Sequence, residues 1–424
     1  KLPQICDGKH LGDRSNEKKE CMTNNKPTFM EMLPRGAMKL HYPLILSALD
    51  INTNNSDEEK YSSLLKDASF NMVSDFFKQI NLSKEEFYEK YGEQIDQLAS
   101  VHGLTKDEIF VCLEDPESYT PDNEIDDQEI TQTEILQREF PTLISSSPTE
   151  NKNIKTIPEI INKDDPLNSV FKKIVRIERL REVRVFKGFQ RINTTVNNTL
   201  VSPDLGHGNV SWLPACEVFG EGIFLEINDQ KLQRWYFDNK SIIDEITADQ
   251  IQKANEEGLF SKKGVDPSPQ FILIHTLSHL LISQLVFECG YSSTSLKERI
   301  YSNIDTNHFG LLIYTSDADS EGAMGGLTEM GNLNTIREII YKAVSKSRWC
   351  SNDPVCRELT RQGVMGLNGA ACHACSMIAE TSCDHNNILL TRLLVSGNGM
   401  INGRGRLEPT GFFNEFLNQF EGEI

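Results

Sequence analysis

Apolar residues recur at helical spacing through Phe70, Val73, Phe76, Phe77 and Ile80, so the stretch from Ser56 to Val111 reads as helical. Within it, Ser83-Lys84-Glu85-Glu86 has the form of a capping box that starts a further helix. From Trp212 to Trp235 the pattern changes to alternation of apolar and polar residues, punctuated by Gly220 and Gly222, which predicts strands. Asp244 to Glu257 returns to helical spacing and Gly258 ends it. The last third predicts a helix over Gln270 to Cys289, a strand over Gly310 to Thr315, a Gly-rich loop, a helix over Asn334 to Trp349 and then a cysteine-rich segment. This order describes an α/β protein with a mixed N-terminal lobe and a C-terminal α/β lobe, without an internal repeat. The longest apolar run, Phe271 to Phe287, is short for a membrane span and carries His275, Ser278, His279, Ser283 and Gln284. A buried helix is the better reading, and no membrane partner is expected.

Composition refines the division of the chain. Its 424 residues suffice for two or three domains, and 38% hydrophobic with 25% charged residues is ordinary for a globular protein. The net charge of −19 is unevenly spread: residues Glu114 to Pro166 hold 14 acidic and 4 basic side chains, about half of the excess. Six prolines and a Ser145-Ser146-Ser147 run accompany them, so this stretch reads as an acidic flexible insertion or linker. The expected organisation is a mixed helical region over 1–113, the insertion over 114–166, a basic and strand-rich region over 167–265, and a last domain over 266–424. Directly after the insertion, Lys172, Lys173, Arg176, Arg179, Arg181 and Arg184 interleave with Val175, Ile177, Leu180 and Val183. That amphipathic basic face suits either nucleic-acid phosphates, through Lys172, Lys173, Arg176, Arg179 and Arg184, or solvent and a protein partner. Ten cysteines with no recognisable signal peptide point to a reducing, cytoplasmic setting, where close thiols bind metal.

Five of those cysteines, Cys350, Cys356, Cys372, Cys375 and Cys383, fall within one short segment, and Cys372-His373-Ala374-Cys375 places two thiolates on one turn. A tetrahedral zinc needs four such ligands. The expected set is Cys356, Cys372, Cys375 and Cys383, with Asp353-Pro354 turning the chain to present Cys356; Cys350 is the alternative fourth ligand. His275 and His279 stand four apart on one helix face, but Thr276 occupies the place where a metalloprotease has its Glu and no third ligand is evident, so they read as a packed polar pair. Glu298-Arg299 reads as a structural ion pair. On the loop Ser316 to Gly322, Asp317, Asp319 and Glu321 could hold a divalent cation in the manner of a nuclease, or merely cap the following helix. No Gly-x-x-x-x-Gly-Lys-Ser/Thr occurs in the sequence, so a P-loop motor would have to come from a partner.

Several of these segments share an order and spacing with one family. His275-Thr276-Leu277-Ser278-His279, Cys289-Gly290-Tyr291-Ser292, Leu296-Lys297-Glu298-Arg299, Asp319-Ser320-Glu321-Gly322, Trp349-Cys350-Ser351, Ala371-Cys372-His373-Ala374-Cys375 and Glu380-Thr381-Ser382-Cys383 resemble the zinc-binding helicase-associated domain of MrfA helicases and DrmB proteins, in the DrmB branch. Upstream, Arg35-Gly36-Ala37, Ser47-Ala48-Leu49-Asp50-Ile51, Leu180-Arg181-Glu182-Val183 and Gly220-Glu221-Gly222-Ile223-Phe224 extend it across most of the chain outside the acidic stretch. The resemblance implies a non-catalytic zinc subunit of DISARM, a bacterial anti-phage defence, working beside a DrmA-like helicase on DNA. Cys6 and Cys21 resemble half of a further zinc motif of that family. The competing expectation is a metal-dependent nuclease acting through Asp317, Asp319 and Glu321.

Overall fold

The alternating segments pair into one antiparallel sheet. In the computed structural model, which describes residues 5–6, 22–23, 25–30, 41–51, 63–79, 84–102, 104–114, 131–191, 200–203, 212–260, 265–315 and 326–423, its strands are β1 (His41–Leu49), β2 (Ile154–Glu159), β3 (Phe171–Arg191), β4 (Ala215–Ile227), β5 (Leu296–Asn303) and β6 (His308–Thr315). The order is β1-β3-β4-β6-β5, and β2 pairs with β3 ahead of β1. Side chains alternate between two faces, and both are buried. Ile223, Leu225 and Ile227 of β4 join Leu311 and Ile313 of β6 on one face, while Phe224, Leu312 and Tyr314 lie on the other.

At Gly220 and Gly222, β4 leaves no room for a side chain beside β6. A Cβ on Gly220 would lie 1.7 Å from the Thr315 carbonyl oxygen, a distance that no relaxation of a flexible side chain can relieve. Gly220→Ala is therefore expected to cost about 3 kcal/mol, read as a lower urea midpoint; an unchanged midpoint would contradict this account of the strand contact.

Two compact units are present, Asn52–Ile130 on its own and Lys1–Ile51 with Thr131–Ile424. The first contains helices α1 (Ala68–Gln79), α2 (Lys84–His102) and α3 (Lys106–Glu114), as the helical spacing predicts. Phe70, Phe87, Ile95, Leu98, Ile109 and Leu113 form a core of their own, with the rings of Phe77 and Phe87 edge to face at 4.9 Å. Helix α3 starts on a capping box, in which Glu108 N donates to Thr105 Oγ1 and Thr105 N donates to Glu108 Oε2 at 2.6 Å. Ser83, the expected cap of α2, lies outside the described residues.

In the larger unit, α4 is Gln132–Leu143, α5 Asp229–Glu256, α6 Pro269–Cys289, α7 Leu333–Ser347 and α8 Asn414–Glu423. Three expectations are corrected. The acidic stretch is not a linker throughout: from Thr131 onward it forms α4 and β2, because Phe140, Leu143 and Ile154 are apolar positions hidden within a polar composition and all three are buried on the second face of the sheet. Its residues 115–130 lie outside the described residues. A boundary between 265 and 266 is not observed either, since strands from both sides of it share the sheet. Finally, alternation stops before Trp235, where Asn228 caps α5 by accepting from Lys231 N at 3.1 Å.

Helix α6 packs against β5, β6 and α7. Ser268 accepts from Phe271 N, Pro269 opens the first turn, and Gly290 at φ +70° ends the helix with its N–H on the Val286 carbonyl. Among the described residues it is the one helix long and apolar enough to cross a membrane, yet 83% of that window is buried inside the protein. A helix apolar all round is what a core position demands.

A buried polar network fastens α4 and β1 to the sheet. Arg299 of β5 donates to both carboxylate oxygens of Glu139 in α4, at 2.7 Å from Nε and 2.6 Å from one terminal nitrogen, and to the Ser47 carbonyl of β1 at 2.6 Å. Tyr301 Oη and Leu49 N complete the shell of Glu139 at 2.9 and 2.8 Å. Adjacent strand residues point to opposite faces, so Arg299 does not pair with Glu298 as the sequence suggests; Glu298 faces α6 instead.

Candidate metal centre

Four of the five clustered cysteines converge after α7. Cys350 follows the helix, Cys356 sits in the short helix Val355–Glu358, and Cys372 and Cys375 lie on one turn in which Cys375 N and Ser376 N donate to the Cys372 carbonyl at 3.2 and 2.9 Å. Sγ of Cys350 lies 3.5 Å from that of Cys372, and Cys375 Sγ is 3.8 Å from both Cys356 and Cys372. Zinc–sulfur bonds of about 2.3 Å put tetrahedral ligands roughly 3.8 Å apart, so the spacing fits that ion. All four are free thiols.

The loop between Cys350 and Cys356 is built around Asp353. Its carboxylate accepts from Cys350 N at 2.9 Å and Arg357 N at 3.0 Å, and it pairs with Arg392, whose side chain is wholly buried. Arg392 also donates to the Ser347 carbonyl at 3.0 Å. Burial alone would weaken the charge of Arg392, but Asp353 and the thiols of Cys375 and Cys356 outweigh this and raise its pKa. Four thiolates around a divalent ion leave two negative charges, and this guanidinium offsets part of them.

Amide and hydroxyl donors already address the sulfurs. Asn352 N donates to Cys350 at 3.4 Å, Cys372 N to Cys375 at 3.3 Å and Ser376 Oγ to Cys375 at 3.3 Å. Donation from the Cys356 thiol, helped by Ser376, the Cys372 amide and Arg392, lowers Cys375 to about 5 against the effect of burial, while Cys356 is raised in turn. Cys375 is thus poised to present a thiolate at neutral pH.

The geometry corrects the expected ligand set at one position, for Cys350 and not Cys383 stands with Cys356, Cys372 and Cys375. The two ends of the Asp353 turn face the same point, which the Cys-x-x-x-x-x-Cys spacing around Asp-Pro signals in the sequence. Cys383 is held elsewhere because its neighbour Ser382 is tied to β5 and the turn before it: Glu298 N donates to the Ser382 carbonyl at 3.3 Å and Ser382 Oγ to that of Ser293 at 2.7 Å. There Cys383 meets His275, His279 and Glu298, so the histidine pair of α6 does have further candidate ligands, which only the packing supplies.

The other expected site residues are placed as follows. Cys6 is half-buried and Cys21 lies outside the described residues. Asp317, Asp319 and Glu321 lie outside them too. The basic residues lie on strand β3, and each has a protein partner: Lys172 pairs with Glu226 and Asp229, Lys173 with Ile144 O and Ser146, Arg176 with Glu159 at 2.6 Å, Arg179 with Asn151 O, and Arg184 with Glu182 at 2.7 Å. Each of the five thus has an acceptor within the fold, on its own strand or on neighbouring elements, and Lys172 is 53% exposed.

Comparison with known proteins agrees with this layout. The model of the MrfA Zn-binding domain family matches residues 277–376, a segment that contains Cys350, Cys356, Cys372 and Cys375 and ends before Cys383. The DISARM protein DrmB of Bacillus paralicheniformis is 33% identical over 410 residues, which are 92% of this chain and 67% of that protein. A match to a zinc-binding family over the segment with the four-sulfur cluster identifies zinc as the cofactor.

Proposed function

This chain belongs to the DrmB family of DISARM proteins, and from that premise we propose that it is the zinc-stabilised, non-motor subunit that docks on a DrmA-like helicase and steadies DNA for it during anti-phage defence. Zinc is held by Cys350, Cys356, Cys372 and Cys375, and its work is structural. The observation that carries this reading is the closed four-sulfur cluster, which fills a tetrahedral shell with protein ligands and leaves no position for water or substrate. The lack of a P-loop in the 424 residues supports dependence on a partner's motor. DNA is met by the assembled complex more than by β3 alone, since the cations of that strand are already engaged.

The test mixes the purified chain with the helicase, follows co-migration on size exclusion, and titrates labelled single-stranded DNA with helicase alone and with the mixture. Co-migration and at least about tenfold tighter DNA binding, equivalent to roughly 1.4 kcal/mol, are expected. Independent migration would overturn the proposal. So would cleavage of the DNA by this chain alone with magnesium or manganese, abolished by Asp319→Ala, which would favour the nuclease reading instead.

A further inference from the structure

We propose that His275, His279, Glu298 and Cys383 form a second structural metal site, taking zinc or a similar first-row divalent ion, distinct from the four-sulfur cluster. All four residues are buried; both histidines and Glu298 have no exposed surface, and Cys383 retains 5%. Their ligand atoms lie within 4.8 Å of one another. Glu298 Oε1 is 3.2 Å from His275 Nε2 and 3.4 Å from His279 Nε2, and Cys383 Sγ is 3.3 Å from His275 Nε2. Bonds of about 2.0–2.3 Å from nitrogen, oxygen and sulfur to a tetrahedral ion separate its ligands by roughly 3.3–3.8 Å, close to what is seen.

Outer contacts orient three of the four donors. His279 Nδ1 lies 2.8 Å from the Ser376 carbonyl; a carbonyl offers only lone pairs, so Nδ1 carries a proton and Nε2 is the ring atom that faces Glu298 Oε1, at 3.4 Å. Glu298 Oε2 accepts from Ser278 Oγ at 2.7 Å, which leaves Oε1 for the centre. Cys383 Sγ accepts from the amides of His385 and Asn387, both at 3.3 Å; these donors oppose burial and the Glu298 carboxylate, which together hold its pKa well above the ordinary thiol value. Imidazole N–H on a backbone carbonyl and a hydrogen-bonded carboxylate are how proteins orient metal ligands.

Without an ion this arrangement is poorly satisfied. His279 Nε2 and Glu298 Oε1 make no hydrogen bond although they face each other in a fully buried place, and a buried polar atom without a partner is costly. A divalent cation would give both atoms a partner, and two imidazole ligands, one carboxylate and one thiolate would bring two negative charges that balance it. The site joins α6, β5 and the segment after the cysteine turn. Its complete burial and four protein ligands assign it to folding and not to hydrolysis.

The test is zinc analysis of the full chain by mass spectrometry after exhaustive dialysis, with X-ray absorption at the zinc edge. Two zinc ions per chain are expected, with an average first shell of about 2.5 sulfur and 1.5 nitrogen or oxygen atoms, and Cys383→Ser or His279→Gln should lower the content. The absorption measurement on the unaltered chain keeps the test valid if either variant fails to fold. One zinc in an all-sulfur shell would overturn the second site while leaving the four-cysteine reading intact; no bound zinc would overturn both.

Discussion

Replacing Cys375 with serine is expected to remove at least one zinc equivalent and to unfold the C-terminal part of the larger unit. The segment from Cys350 to Ser396 contains only short helices and turns, so little regular backbone hydrogen bonding holds it. Leu367, Ala370, Ile388, Leu389, Leu394 and Val395 from this segment nevertheless belong to the main core, and they reach it only if the cysteine turn is closed. Zinc binding contributes about 10–16 kcal/mol to folding in small zinc modules, as much as the whole stability of a typical domain, about 5–15 kcal/mol. The substitution removes a thiol whose pKa is lowered to about 5 and whose sulfur lies 3.8 Å from two others. Elemental analysis and thermal melting with and without chelator check this. A variant with full zinc content and an unchanged melt would contradict the ligand assignment.

Arg299→Ala is expected to destabilise the larger unit by about 3–5 kcal/mol, the usual result of stripping one partner from a buried ion pair. Arg299 is 3% and Glu139 2% exposed, so the remaining carboxylate would be buried with only Tyr301 Oη and Leu49 N as donors. Burial opposes the charge on Arg299, but Glu139 more than compensates and holds its pKa well above the ordinary arginine value. The guanidinium also bonds the backbone of β1, so its loss should loosen α4 and β1 together. Urea denaturation measures the cost, and limited proteolysis should show earlier cleavage within Gln132–Leu143. A variant with the same midpoint and the same digestion pattern would show that the network does not fasten these elements.

Much of the local structure was legible from residue order. Helix α6 announces itself through Ser268, Pro269 and Gly290, whose capping chemistry is local and does not depend on what packs around the helix. The cysteine-rich turn was equally plain, because Cys-x-x-Cys brings two sulfurs together through four residues of backbone. Membership of the zinc-binding family followed from motifs that are contiguous in sequence. The fourth ligand was different, since Cys350 and Cys383 are both within reach along the chain, and only tertiary contacts separate them: Asp353 holds the Cys350 turn at the cluster while Ser382 ties Cys383 to β5.

By itself, then, the sequence determined that this is a mixed α/β zinc protein with a buried apolar helix and closely spaced thiols, since each of those properties rests on neighbours a few residues apart. Tertiary structure alone decided that the acidic stretch covers a sheet face through Phe140 and Glu139, that the cations of β3 find acceptors within the fold, and that His275 and His279 meet Glu298 and Cys383. Those outcomes depend on partners far apart in the chain, such as Arg299 and Glu139, 160 positions from each other. A charge count cannot foresee them, because the free energy of a buried charge is set by the group placed opposite it and not by its neighbours along the chain.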